Sequence, residues 1–207
     1  MQKNKRYLYE ISKRFFEIIF SLFIIIVLFP FFIFLAFLIK LSSKGPIFYR
    51  QIRLGKNKKP FKCIKFRTMS EESEDILKNL LNRNKELREE FEKTQKLKND
   101  PRVTPIGKFL RKTSLDELPQ FLNVIKTDMS LVGPRPALFS QTKLINLRKS
   151  KKIDLIRPGI TGLAQINNDK IKKLRDKVSL DYNYLKNKSL FLDIQIIFLT
   201  FKKLFKF

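Results

Sequence analysis

The amino-acid sequence predicts a mixed α/β, mainly helical fold that is attached to a membrane by one apolar segment. Residues 15–39 form a long apolar run, and residues 40–66 place short apolar stretches on either side of a turn. Residues 71–98 and 171–206 space their apolar side chains as amphipathic helices do. The length of 207 residues fits one domain, or one domain with an appendage.

The composition excludes several kinds of catalytic site. With no histidine and one cysteine, Cys63, the chain cannot build a Ser-His-Asp triad, a Cys-His pair or a Cys/His zinc site. The formal net charge of +25 indicates an anionic partner, which could be nucleic acid, anionic lipid or a phosphorylated substrate. Lysine far outnumbers arginine, and an AT-rich coding sequence could account for part of this excess. Because the chain has no histidine, acid–base or nucleophilic chemistry falls to carboxylates, lysine, tyrosine or water.

The apolar run divides the chain into a basic N-terminal segment (1–14), a membrane segment (15–39) and a larger remainder (40–207). As a helix the run would be about 37 Å long, enough to cross a hydrocarbon core of about 30 Å. Pro30 interrupts its backbone hydrogen bonds, and both flanks are basic, whereas a simple span carries its positive excess on one side. The residues alone are compatible with a re-entrant hairpin that turns at Pro30 and with a kinked transmembrane helix.

The segment after the apolar run is strongly basic. Residues 40–69 contain ten lysines or arginines and no acidic residue, so they would lie against anionic headgroups. Apolar residues flank the sequence GKNKKP within this segment, which predicts a short β-hairpin. Residues 71–98 predict a surface helix or a helical pair. The C-terminal apolar piece, with Lys202, Lys203 and Lys206, predicts either a helix in the membrane interface or a core helix with a basic tail.

The acidic pair Asp116-Glu117 carries the strongest local signal for chemistry. Ser114 and Glu117 fit a capping box, or the helix begins later with Pro119 at its first position. In both cases the two carboxylates lie beside a helix N-terminus, where they could simply complement the dipole. A carboxylate nucleophile needs no histidine, because its pKa near 4 leaves it ionised at neutral pH.

Basic residues surround this pair in the sequence and favour a phosphate site. Arg111 precedes it and Arg135 follows it, held between two prolines. Arginine binds phosphate bidentately, and Mg²⁺ takes carboxylate together with substrate phosphate oxygens. Lys65 and Arg67, in the motif KFRTM, are either further phosphate contacts or part of a basic strand. The motif RPGITG could bring backbone amides close to an anion or could be a structural turn.

Taken together, these motifs resemble the small monotopic phosphoglycosyl transferases among the bacterial sugar transferases. The resemblance runs from about Lys13 to Ile197. It rests on the ordered motifs KRFFEIIFSLF, GPIFYRQIRLG, KFRTM, DPRVTPIGKFLRKTSLDELPQ, DMSLVGPRP, RPGITGLAQI and SLDYNYLKNKSLFLDIQII. It implies a monotopic membrane protein with one re-entrant helix–break–helix hairpin at Pro30. It also implies a catalytic domain with interfacial helices on the cytoplasmic face of the bacterial inner membrane.

The resemblance also implies an activity and residue roles. Such enzymes transfer a phosphosugar from a UDP-sugar to undecaprenyl phosphate, with Mg²⁺, and release UMP as the first membrane step of glycan assembly. Asp116 would be the nucleophile that forms an aspartyl-phosphosugar intermediate. Glu117 would help to hold Mg²⁺ or orient the pair, and both carboxylates are the predicted metal ligands. Arg111 and Arg135 would bind phosphates or the nucleotide.

Three departures and three alternatives accompany this resemblance. Phe29 stands before the membrane proline where the family often has serine, and Glu17 stands where Asp is commoner. Residues 166–169 differ where a Gly-containing segment is usual, so no sugar is inferred. One alternative is a membrane-tethered, basic nucleic-acid- or lipid-binding protein without catalysis. The second is a membrane scaffold without catalysis, and the third is an ordinary glycosyltransferase that releases UDP. Phenylalanines cluster in the membrane run rather than on a base-stacking surface, so no nucleic-acid partner is expected. The oligomeric state stays open.

Overall fold

The computed structural model describes residues 2–71, 73–94, 97 and 99–204, and within these the side chains except those of 2–6, 90, 92–94 and 204. Met1 of the predicted N-terminal segment lies outside the described residues. So do Lys206 of the predicted basic tail and part of the predicted helical region 71–98.

The described chain is mixed α/β and mainly helical, as predicted. In chain order its elements are α1 (Gln2–Ser42), β1 (Phe48–Leu54), β2 (Pro60–Phe66), α2 (Ser73–Arg83), α3 (Lys85–Thr94), α4 (Pro105–Lys112), α5 (Gln120–Ile125), β3 (Ser130–Val132), α6 (Thr142–Ser150), β4 (Gly159–Thr161), α7 (Leu163–Ile166), α8 (Leu174–Asn187) and α9 (Leu190–Leu204). Single 3₁₀ turns connect several of them. The predicted hairpin is confirmed by the pairing of β1 with β2, and the predicted helical pair by α2 and α3.

Helix α1 contains the described part of the predicted basic segment and the whole apolar run. The structure assigns helix on both sides of Pro30. Tyr7–Ser42 is long and apolar enough to cross a membrane by length and composition, and few of its apolar side chains are buried. A core helix of a water-soluble protein would instead bury most of this surface. The exposed apolar surface of α1 therefore agrees with a membrane segment.

Two compact units make up the described chain. The first contains residues up to Leu28, Arg50–Ile64 and the described residues from Pro119 onward. The second contains Phe29–Tyr49 and the described residues of the stretch Lys65–Leu118. The boundary falls inside α1, next to Pro30.

The first unit is built on a parallel pair of short strands that the sequence analysis did not predict. Ser130 of β3 is in register with Gly159 of β4, and Val132 with Thr161. A Cβ on Gly159 would lie 2.1 Å from the amide nitrogen of Gly133, so the two chain segments meet backbone to backbone. Apolar side chains from β2, α5, β3, α7, α8 and α9 form the core around this pair.

Polar contacts attach the first turns of α1 to this core. The Glu17 carboxylate is buried and accepts hydrogen bonds from the Ser130 hydroxyl and from the Leu131 amide at 2.9 Å. The Lys13 ammonium contacts Asp193 Oδ2 at 2.8 Å and the Tyr184 hydroxyl at 2.9 Å. Burial raises the pKa of Tyr184, so its hydroxyl stays protonated and donates to Asp193 Oδ1 at 2.7 Å. These contacts fix the position of the first turns of α1 relative to β3, α8 and α9 of the first unit.

Candidate functional site

Helix α4 lies directly on the backbone that follows β2, in the second unit. Its N-cap residue Thr104 accepts a hydrogen bond from the Gly107 amide at 3.0 Å, and Pro105 occupies the first turn. A Cβ on Gly107 would stand 2.1 Å from the carbonyl oxygen of Thr68, so only glycine allows this approach. The chain after β2 and helix α4 are therefore held at backbone contact distance.

This contact places Arg111 beside Thr68. Arg111 lies four residues after Gly107, on the same face of α4. Its Nε donates to the buried Thr68 hydroxyl at 2.9 Å. Its charge also helps to lower the pKa of Asp100: burial raises that pKa, but hydrogen bonds and charge from Arg102, together with Arg111, outweigh burial.

The acidic pair lies in a tight turn rather than in a capping box. Ser114 adopts a left-handed conformation, with φ of 58°, and its side chain makes no capping hydrogen bond. The predicted Ser114–Glu117 capping box is therefore wrong, because a helix N-cap needs extended backbone at the serine. Residues 115–117 form one 3₁₀ turn, and α5 begins at Gln120 with Pro119 as its N-cap. The alternative prediction of a later helix start is therefore confirmed, but Pro119 precedes the first helical position instead of occupying it.

Lys65, near the end of β2, contacts both acidic side chains. Its Nζ lies 2.6 Å from Glu117 Oε1 and 3.7 Å from Asp116 Oδ2. All three side chains are less than one fifth exposed, which strengthens their attraction relative to a surface pair. The predicted site residues Lys65, Asp116 and Glu117 are thus brought together, with the ammonium closer to Glu117.

A divalent cation could use this carboxylate pair only with additional ligands. Among the described residues no group of three or more His, Cys, Asp or Glu side chains could hold a metal ion alone. Mg²⁺ commonly takes one or two carboxylates and completes its shell with water and substrate phosphate oxygens. The oxygens of Asp116 and Glu117 fit that mode of binding.

Arg67 is directed to the end of α1. Its Nη2 donates to the backbone carbonyl of Ser43 at 2.6 Å and to the Ser43 hydroxyl at 3.0 Å. The residue is only 7% exposed, and burial lowers its pKa. A Cβ on Gly45 would lie 2.4 Å from Nη1, so the guanidinium is packed against that turn. The contacts in the structure thus join Arg67 to the end of the apolar helix.

Arg135 lies in the first unit, within a group of basic residues. Its carbonyl accepts a hydrogen bond from Arg148 Nη1 at 2.8 Å, and Arg148 Nη2 pairs with Asp181 Oδ2 at 2.6 Å. Burial, together with the charges of Arg148, Arg135 and Arg53, lowers the pKa of Lys177, and Asp181 opposes this shift. The sequence analysis assigned no role to Arg148, Lys177 or Asp181: Arg148 and Lys177 belong to none of the motifs named above, and Asp181 entered only as part of the motif SLDYNYLKNKSLFLDIQII.

The RPGITG motif forms structure rather than an open anion site. The Gly159 amide donates to the carbonyl of Pro134 at 2.9 Å, and the Gly133 amide donates to that of Thr161 at 2.8 Å. Gly162 is also closely packed, since a Cβ there would lie 2.2 Å from the carbonyl oxygen of Gly133. Of the two interpretations left open, the structural turn is the one that these contacts support.

Comparison with known proteins gives consistent matches. The sequence model of the family described as "Bacterial sugar transferase" matches residues 8–207. The exopolysaccharide production protein ExoY of Sinorhizobium fredii is 42% identical over 190 residues, covering 92% of this chain and 84% of that protein.

Two longer relatives have names that state an activity. The undecaprenyl-phosphate galactose phosphotransferase of Salmonella typhimurium is 43% identical over 193 residues, covering 92% of this chain and 40% of that protein. The UDP-glucose:undecaprenyl-phosphate glucose-1-phosphate transferase of Escherichia coli is 40% identical over 198 residues, covering 92% of this chain and 39% of that protein. This chain therefore spans about two fifths of these longer relatives.

Proposed function

Because the chain belongs to the bacterial sugar transferase family, we propose that it moves a phosphosugar from a UDP-sugar to undecaprenyl phosphate, as the first membrane step in polysaccharide assembly. The family inferred from the motifs is confirmed, and the chain is a transferase. The names of the Salmonella and Escherichia relatives support the donor and acceptor classes. Membership in a family of transferases argues against the alternative of a binding protein without catalysis.

The arrangement of Lys65 against the acidic pair is the observation that carries the proposal. Glu117 is the closer partner of the ammonium, at 2.6 Å, whereas Asp116 lies at 3.7 Å. In our proposal Lys65 and Glu117 orient the carboxylate of Asp116, and Asp116 is the nucleophile. An oxygen of Asp116 attacks the sugar-bearing phosphorus of the UDP-sugar, and the bond from that phosphorus to the bridging oxygen breaks. UMP leaves with that oxygen, and the phosphosugar stays on Asp116 as an acyl phosphate.

In the second step undecaprenyl phosphate displaces Asp116 from the phosphorus. A phosphate oxygen of undecaprenyl phosphate attacks the same phosphorus, and the Asp116 carboxylate leaves with its original oxygen. The product is an undecaprenyl-diphosphate sugar, and the enzyme is regenerated with no water consumed. A covalent intermediate allows the water-soluble donor and the membrane-bound acceptor to be bound in turn.

The remaining predicted site residues have supporting roles in this proposal. Asp116 and Glu117 are the residues that would hold Mg²⁺, which when bound would neutralise charge on the donor diphosphate. Arg111, positioned by Gly107 and Thr68, would bind phosphates or the nucleotide, and Arg135 stays a predicted contact of the same kind. Arg67 stays a predicted phosphate contact, although its contacts at the end of α1 favour a positioning role.

The membrane arrangement in our proposal is a re-entrant hairpin with its break at Pro30 and with the catalytic part on the cytoplasmic face. Basic residues on both flanks of the apolar run support it.

Helix α9 contributes an interfacial surface in this proposal. Its core side is buried through Ile196, while its other side exposes large apolar side chains: Phe191, Ile194, Phe198, Leu199 and Phe201. The basic segment 40–69 would lie against anionic lipid.

The test is nucleotide release by the full chain in detergent, with undecaprenyl phosphate, Mg²⁺ and a panel of UDP-sugars. We expect UMP release that depends on the acceptor over many turnovers and is lost in Asp116→Asn. Without acceptor, intact-protein mass spectrometry should show one added phosphosugar on the wild type and none on Asp116→Asn. Lys62→Gln, which removes an exposed lysine of β2, serves as the matched control and should behave as the wild type.

Two results would contradict the proposal. Release of UDP in place of UMP would indicate ordinary glycosyl transfer. UMP release that persists in Asp116→Asn, with the phosphosugar found on another residue, would assign the nucleophile elsewhere. Thermal unfolding of each variant shows whether a loss of activity reflects the chemistry or the fold.

A further inference from the structure

We propose that a cavity beside the first turns of α1 binds the headgroup phosphate of an anionic phospholipid, at a site separate from the acidic pair. The inference rests on the membrane placement of α1 in the proposed function, but not on the proposed chemistry. The cavity lies entirely within the first unit and is open to solvent. We call it the headgroup cavity.

Basic side chains dominate the walls of the headgroup cavity. Five of them line it: Lys13, Arg14, Lys56, Arg157 and Lys188. Its acidic side chains are Glu10 and Glu17. The cavity therefore carries an excess of positive charge in a partly enclosed space, where attraction for an anion is stronger than on an open surface.

Both carboxylates of the cavity already have partners within the protein. Glu10 pairs with Lys188, and the buried Glu17 pairs with Lys13 at 3.3 Å and with Arg14 at 3.5 Å. The two carboxylates therefore act on three of the five cations of the lining, and the excess positive charge lies on Lys56 and Arg157.

Lys56 and Arg157 are the cations that the protein leaves for a ligand. Arg157 Nε donates to the carbonyl of Thr127 at 2.9 Å, which orients the guanidinium without neutralising it. Within the part of the chain that the structure describes, neither side chain forms an ion pair. Arg14 Nε is buried and has no acceptor among the described residues. A phosphate in the cavity would supply acceptors for these groups.

The position of the cavity along α1 identifies the source of the phosphate. Its α1 residues end at Glu17, where the apolar run begins. Phe15 is 68% exposed and Ile19 is 51% exposed, so apolar side chains of α1 face outward at the level of the cavity. Tyr7, Leu8 and Ile11 are exposed one to two turns earlier. If the apolar run lies in the hydrocarbon core, the cavity lies at the depth of the lipid phosphates, where basic pockets bind anionic headgroups. Acyl chains would follow the exposed face of α1.

The experiment counts lipids bound to the full chain. The protein is released from nanodiscs of phosphatidylcholine that contain a minority of phosphatidylglycerol, and native mass spectrometry measures the retained lipid. We expect one retained phosphatidylglycerol, with retention lowered at least about tenfold in Lys56→Gln/Arg157→Gln because two charged contacts are lost. The control Lys143→Gln/Lys149→Gln removes the same charge from exposed positions of α6 outside the cavity and should retain the lipid.

Competition separates the lipid from other phosphates. Millimolar inorganic phosphate should not displace the retained phosphatidylglycerol; displacement would overturn the proposal in favour of a site for soluble phosphates. Displacement by undecaprenyl phosphate that depends on Lys56 and Arg157 would likewise overturn it, in favour of an acceptor site. Equal retention by the cavity variant and the wild type would also contradict it.

Two further readouts keep this test apart from the proposed function. Failure of wild-type protein to float with liposomes would refute the membrane placement itself. UMP release, measured on the same preparations, should be unchanged in Lys56→Gln/Arg157→Gln, so a failed lipid site and a failed catalytic proposal are distinguishable.

Discussion

Gly107 holds α4 against the backbone that follows β2, and Gly107→Ala tests whether this contact positions the site. The new Cβ would stand 2.1 Å from the Thr68 carbonyl oxygen. An ordinary carbon–oxygen approach is about 3.3 Å, so α4 and the β2 end must separate by about 1 Å. Arg111 moves with α4, and the Ser114 turn that carries the acidic pair follows directly.

This displacement should lower both the rate of UMP release and the free energy of unfolding. A misplacement of about 1 Å can reduce turnover about 100-fold, so we expect a loss of that order in UMP release by Gly107→Ala. Overpacking should also lower the free energy of unfolding by about 1–3 kcal/mol. If Gly107 made no close contact, Gly107→Ala would instead raise the free energy of unfolding, because alanine in a helix is more stable than glycine by about 1 kcal/mol.

The assay compares kcat/KM for UMP release with the midpoint of thermal unfolding in the same detergent. Gly55→Ala is the matched control, because its Cβ would approach Lys59 and Phe61 no closer than 3.2 Å and needs only a small adjustment. We expect Gly55→Ala to retain activity close to that of the wild type. A Gly107→Ala protein that is more stable than the wild type and equally active would refute the claim that this contact positions the site.

Three further changes test other parts of the structure. Lys65→Met removes both contacts to the acidic pair and should lower UMP release about 100-fold; a wild-type rate would argue against the proposed orienting role. Glu17→Leu leaves Lys13 without one of its carboxylate partners and two buried donors without an acceptor, and should lower the unfolding free energy by about 3–5 kcal/mol in chemical denaturation. Asp100 has a lowered pKa in the folded state, so its stabilising contribution is present above the unfolded pKa, near 4, and is lost as the pH falls through the folded value. The stability advantage of the wild type over Asp100→Asn should therefore shrink with acidification, and an advantage that is constant with pH would exclude this linkage.

Local sequence patterns were sufficient to predict most elements. The turn sequence around Gly55 predicted the β1–β2 hairpin, and helical spacing predicted α2, α3, α8 and α9. The apolar run predicted the membrane-compatible part of α1. These predictions succeed because turn chemistry and periodicity act between residues that are close in the chain.

Contacts between distant residues were not predictable in the same way. The β3–β4 pair is only three residues long on each side, and its register depends on Gly133 and Gly159 meeting backbone to backbone. The buried position of Glu17 was also not foreseen, because a single carboxylate in an apolar run carries no information about its partner Ser130. The capping box at Ser114 failed because Ser114 follows directly on the end of α4 and adopts a left-handed conformation, whereas an N-cap residue needs extended backbone.

The sequence alone determined the family and the apolar segment that is long enough to cross a membrane, and it predicted the acidic pair as the site, because ordered motifs and composition are properties of the chain itself. Only the tertiary structure decided that Lys65 contacts Glu117 more closely than Asp116, and that Arg67 reaches the end of α1. It also decided that Lys56 and Arg157 line one cavity beside α1. These pairings depend on how separate elements pack, and a side chain far along the chain acquires its partner only when that packing is complete.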